Sequence, residues 1–190
     1  THPDLLNWLA GEFVQTGWSV KALHRRIVSS HAYRQSSRTT AAILKADPDG
    51  RRYTRAPVRR LDAEAIRDAL LHHSGRLNDH LYGPYVKTDR AGNGEVVVPE
   101  RHHDFGRRSI YLYQRRTQVV SFLQLFDSPS IVFNSVRRNP TTIPLQSLAM
   151  LNSDFVRARA GAFAQRLERE AGADRQRRVD VAFRLATGRQ

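Results

Sequence analysis

Two carboxylates, Glu64 and Asp68, stand four residues apart in RRLDAEAIRDALLHHSGRL and share one helix face, the placement a general acid–base pair would use. Arg60 and Arg67 are near, and at this spacing solvated salt bridges form more readily than a catalytic pair. His102, His103 and Asp104 are the most metal-like cluster in the chain. Adjacent histidines cannot both reach one ion without a bent backbone, and spacing places no third ligand, so no metal site is expected. His24 and His31, seven apart, lack a carboxylate at matching spacing and read as surface or packing residues. AGNG at 91–94 is too short and isolated to cradle a phosphate. DPDG at 47–50 has turn chemistry without the spaced oxygens of a calcium loop.

Polar groups with special geometry are densest in 107–156, RRSIYLYQRRTQVVSFLQLFDSPSIVFNSVRRNPTTIPLQSLAMLNSDFV. Arg108, Tyr111, Asp127, Arg138, Asn139, Thr142, Gln146 and Asn152 are its candidate site residues. They would line the cleft of a hydrolase-like enzyme acting on polysaccharide, or they cap helices and tie loops into a structural knot, which is the plainer reading. Asp127 separates the two: a cap contacts backbone N–H groups, whereas a catalytic acid or base faces an open pocket.

These residues need elements to hold them. Over 4–16 the apolar residues Leu5, Leu6, Leu9, Ala10, Phe13 and Val14 share a helical face, and Gly17 ends it. Ser19 can cap a second helix striped by Val20, Leu23, Ile27 and His31, so 1–35 is expected to be a helix hairpin with Trp8 and Trp18 packed within it. A central helix falls in 59–77, capped by Asp62 and stopped by Gly75. Residues 78–106 read as a flexible excursion with one short strand near 95–98. RRSIYLYQRR alternates Ile110 and Leu112 against Ser109, Tyr111 and Tyr113, predicting a second short strand over 109–113. Thr142 can cap a helix begun by Pro144, and Asn152 or Ser153 can cap the next. The 154–188 stretch is a helix pair, the second burying Val179, Ala182, Phe183 and Ala186. The expected fold is mainly α, of packed helix hairpins with a small β element, in a single domain spanning 1–190.

Composition narrows the classes. The 190 residues include 40% hydrophobic and 26% charged, as in ordinary globular chains. Zero cysteines exclude disulfides, thiolate metal sites, a Cys nucleophile and covalent haem attachment within the chain. No apolar run approaches the roughly 18–20 residues of a membrane span. The formal net charge is +13, and the cations are nearly all Arg, with Lys only at 21, 45 and 87. An acidic partner or other polyanion fits that balance, as does a solvated basic surface. Nucleic acid is a weaker expectation, since Arg interleaved with aromatics occurs on one predicted strand and a stacking platform needs several. The start THPDLLNWL and the end AFRLATGRQ read as cuts from a longer protein, so the lack of a signal peptide leaves localisation open.

The ordered blocks LNWLAGEFVQTGWSVKALHRRIVSSHAYRQSS, RRLDAEAIRDALLHHSGRL, RRSIYLYQRR, FDSPS and RRNPTTIPLQSLAMLNSDFV resemble planctomycete-specific domain 1, a family of unknown function, over nearly the whole chain. The resemblance implies an exported multidomain protein, periplasmic or extracellular, in which this segment follows a second planctomycete-specific domain and often a cytochrome-c-like one. Haem would then sit in a neighbouring domain, with no cofactor in this segment, and the other domains of the polypeptide would be its partners. The resemblance supplies no catalytic residue. Family members often carry a Cys before the RRN block where this chain has Ser135, so a thiol-based role would not transfer.

Overall fold

The computed structural model describes residues 2–132 and 137–189. Ser135, and with it the expectation about a thiol at that position, lies outside the described residues. The chain divides into two compact units, Thr1–Arg59 and Arg60–Gln190. Among the described residues there are nine α-helices and one two-stranded sheet, so the mainly α expectation holds. No helix among them is long and apolar enough to cross a membrane.

The first unit holds α1 (Pro3–Gln15), α2 (Val20–Ser29), α3 (His31–Arg34) and α4 (Ala41–Ala46). Pro3 opens α1 where a missing N–H costs nothing, and Asp4 meets the positive end of its dipole. Gly17 and Trp18, both left-handed, turn the chain into α2, whose first turn is capped by Ser19 Oγ accepting from Ala22 N–H at 3.2 Å. Glu12 and Arg26, 2.7 Å apart, tie α1 to α2. Trp18 packs edge-on to Phe13 and Trp8 lies under Arg26, yet the two indoles remain 67% and 52% exposed. The expected burial of both tryptophans is therefore only partial. The buried side chain of this unit among the described residues is polar: Asp47, whose carboxylate accepts from the Arg51 and Arg52 N–H groups and the Thr54 hydroxyl.

The second unit is built on α5 (Ala63–His73), with Asp62 at its N-cap position and Gly75 left-handed beyond its end. Asp62 makes no capping hydrogen bond with its side chain. Ala63 and Leu71 are fully buried against Val86, Val96, Val98, Phe105, Leu112, Val120, Leu123 and Phe126. Much of this core comes from the irregular segment 78–120, which also carries β1 (Asp89–Arg90) and β2 (Val96–Val97), antiparallel with Asp89 opposite Val97. The strand expected over 109–113 is instead a 3-10 turn, Ser109–Tyr111, followed by a single bridge from Leu112 to Val86. Ser109 is pinned by α5 and Leu112 is buried while Ile110 is 77% exposed, so the alternation records a turn that points one apolar residue inward.

α6 (Ser121–Leu125) leads to the FDSPS turn, and α7 (Pro144–Asn152), α8 (Asp154–Ala171) and α9 (Arg175–Thr187) complete the unit. Pro144 occupies the first turn of α7 as expected, but Ile143 holds the N-cap position and no side chain caps it. Ser153 precedes α8, also without a capping bond. Asp174 caps α9 by accepting from Gln176 and Arg177 N–H groups. α9 buries Val181, whereas Val179 and Phe183 are more than half exposed, contrary to the burial expected of them.

Candidate functional site

An irregular segment that enters a core brings carbonyl groups which must find donors. Here they find arginines. Arg67, on the inner face of α5, is 2% exposed and donates to the carbonyls of Arg107 and Phe105, each at 3.0 Å, and to Ser109 Oγ at 3.2 Å. Burial pulls its pKa down to about 10, against the neighbouring Asp68 charge that raises it, and it stays protonated at neutral pH. Asp68 accepts from both the N–H and the hydroxyl of Ser109, at 2.8 and 2.6 Å. Arg107, 1% exposed, donates to the Pro84 and Tyr82 carbonyls, and its guanidinium lies 4.0 Å over the Tyr111 ring. The Tyr111 hydroxyl in turn accepts from Tyr82 N–H at 2.9 Å.

The second cluster surrounds Asp127, which follows α6 with φ of 61°, a conformation Asp tolerates better than most residues. One carboxylate oxygen takes Arg60 Nη2 at 2.6 Å and Thr141 N–H at 2.7 Å, and the Thr141 hydroxyl reaches both oxygens at 3.0 Å. Gln146, 5% exposed on α7, donates to the Leu125 carbonyl at 3.0 Å and to Thr141 Oγ1 at 3.3 Å, with Asp127 at 3.5 Å. A carboxylate offers about four lone-pair sites, and this one meets three donor groups, from Arg60 and Thr141, in addition to a weak fourth from Gln146. The Thr141 N–H bond is the main reason its pKa lies below the ordinary value; burial opposes that, and the Thr141 hydroxyl, Arg60 and Gln146 add to it. At neutral pH it is an ionised acceptor, with no proton to donate as a general acid.

A third contact links the two. Arg138 forms a forked pair with Glu64 on α5, at 2.5 and 3.2 Å, and lies 3.8 Å from Asp62. Burial raises the Glu64 pKa, but the Arg138 hydrogen bond, the Glu64 N–H and the Arg138 charge together hold it below the usual carboxylate range.

The candidate residues therefore separate. Asp127 and Gln146 meet directly, Arg138 reaches α5, and Tyr111 serves Arg107. Arg108 lies 3.7 Å from Asp68 at the surface, while Asn139, Thr142 and Asn152 are exposed. Thr141, not its neighbour Thr142, bonds Asp127, and neither caps α7. Sequence reasoning also missed Arg60, Arg67 and Arg107 as participants; for Arg60 the available signal was an Arg immediately before a helix start. His103 pairs with Asp104 at 3.1 Å, and among the described residues no group of three or more His, Asp or Glu side chains could hold a metal ion.

Two outcomes follow from this geometry. Asp127→Asn, which keeps the tolerated backbone and one acceptor, is expected to cost about 1 kcal/mol, and Asp127→Ala about 3 kcal/mol, measured by urea unfolding. Asp127 and Glu64 both titrate lower in the folded state than unfolded. Their stabilisation is thus complete above the ordinary carboxylate range and is lost as pH falls through their folded values, below roughly pH 4. His73 also has a lowered pKa, from burial first and then the His72 and Arg166 charges, so a gentler loss begins as pH falls below about 6.5. Melting temperature recorded from pH 8 to pH 2 should show both steps, and Arg138→Gln should shrink the lower one.

A family model described as PSD1, protein of unknown function (DUF1553), matches residues 1–190. No curated protein and no solved structure matches the chain.

Proposed function

The chain belongs to the PSD1 family of proteins of unknown function (DUF1553), and from that membership we propose that it is a structural and binding module within an exported multidomain polypeptide. Its partner is another domain of the same polypeptide, the cytochrome-c-like domain that the resemblance implies. The observation that carries this reading is the saturation of Asp127: the carboxylate best placed for acid–base work is committed to Thr141, Arg60 and Gln146. Gln146 and Arg138, two other members of the candidate set, are likewise engaged in holding loops to helices. Docking is supported by the half-exposed apolar residues of the first unit, among them Leu6, Trp8, Trp18 and Val20, beside a surplus of basic residues that suits an acidic partner.

Two measurements test the proposal. Hydrogen exchange over α1 and α2 should be slower in the full-length polypeptide than in the isolated chain; equal exchange overturns the docking. Assay of the isolated chain against a panel of polysaccharides should give no turnover. Turnover that Asp127→Asn abolishes while leaving the melting temperature unchanged overturns the structural reading of the knot in favour of a hydrolase.

A further inference from the structure

Arg159, on α8, is 5% exposed and lines a cleft of about 350 Å³ between that helix and the segment 100–105. Its guanidinium carbon lies over two aromatic rings, 4.7 Å from the Phe105 centroid and 5.3 Å from that of Phe155. That leaves the N–H edges to be satisfied. One nitrogen, Nη2, donates to Glu100 at 2.7 Å, whereas Nε and Nη1 are buried with no acceptor. Buried charged donors without acceptors are uncommon and costly. Nearby cations sharpen the imbalance: Arg76 also lines the cleft, and the Arg159 charge helps depress the pKa of Arg67 after burial and against Asp68.

The cleft exists because α8 presents Ala158, Gly161 and Ala162 on that side. Gly161 is unusual, since a glycine within a helix costs about 1 kcal/mol relative to alanine, and an added Cβ there would meet nothing within 4 Å. Helix packing therefore does not require the glycine, and its missing side chain leaves that side of the cleft open. Glu100 shows what fits: its carboxylate already sits on Arg159, but its side chain is 58% exposed and free to swing into solvent. It stands in the position an incoming carboxylate or phosphate oxygen would take.

We propose that this cleft binds a small oxyanion, through a carboxylate or phosphate group that displaces Glu100 from Arg159 and is attracted by Arg76. The volume lies at the low end of small-molecule sites, which suits a ligand of metabolite size. This site is separate from the Asp127 knot and does not depend on its being structural.

The test is titration of the isolated chain with sodium acetate and, separately, with inorganic phosphate, followed by amide chemical shifts at constant ionic strength. Saturable shifts at 100–105 and 158–165 are expected with at least one probe; acetate alone points to a carboxylate ligand, and phosphate to a phosphorylated one. Glu100→Gln, which removes the internal competitor, should tighten binding at least about fivefold. Gly161→Leu, which fills the cleft, and Arg159→Gln should each weaken it at least about tenfold. Gly161→Leu keeps the test valid if the Arg159 variant does not fold. Absence of saturable shifts with both probes overturns the proposal, as does unchanged affinity in both Glu100→Gln and Gly161→Leu.

Discussion

Arg67→Leu is expected to lower the unfolding free energy of the Arg60–Gln190 unit by about 3–5 kcal/mol, read as a shift in urea midpoint at unchanged slope. The substitution keeps an apolar body on α5 but removes the donors that serve Phe105, Arg107 and Ser109. Two buried carbonyls are then left without partners, each costing about 1–3 kcal/mol, and Asp68 loses a neighbouring positive charge 3.7 Å away. Small domains have only about 5–15 kcal/mol in all. Arg67→Lys should recover part of the loss, because a point ammonium cannot reach three separate acceptors as a planar fork does. A Leu variant as stable as wild type would mean that water replaces the guanidinium and that the buried network is dispensable.

Gly106→Ala should be at least as damaging, with a loss of about 3 kcal/mol or more in the same assay. A Cβ at this position would overlap the Arg76 carbonyl oxygen, which is backbone and cannot rotate away. The Gly106 carbonyl also accepts from Asn78 N–H at 2.8 Å, so separating the two segments breaks that bond too. Gly161→Ala provides the internal control. The same change of one methyl group there meets open space in the middle of α8 and should stabilise by about 0.5–1 kcal/mol. Opposite signs at the two glycines would separate steric necessity from helix propensity within one protein.

The helices were legible because their signals are local. Ser19 bonds the first turn of α2, Pro144 opens α7, and Gly75 turns the chain after α5, each as its residue type dictates. The small sheet was half legible: Val96 and Val97 carry a strand pattern, but their partner Asp89–Arg90 has none. The 109–113 segment misled because alternation is a two-residue rhythm that a 3-10 turn with one buried flank can mimic. What settled its shape was Asp68 and Arg67, about forty residues earlier in the chain. Arginines at 60, 67 and 107 were invisible as interior groups because an Arg beside carboxylates on a helix usually marks a solvated face. Only the fold reveals that the carbonyls they satisfy come from distant loops. At Asp127 the sequence posed two readings, cap or acid, and its partner Thr141, fourteen residues away, was not one that local spacing could point to.

Because Arg67 and Arg107 bind backbone oxygens at Phe105, Arg107, Tyr82 and Pro84, they recognise the path of the chain and not its side chains. Any amino acid at those positions offers the same carbonyl. Substitution should therefore be lopsided in a saturation scan: the two guanidinium residues intolerant, and the loop positions 82 and 84 accepting most replacements that preserve the local backbone. The loops can diversify at their surface while two arginines keep their course fixed.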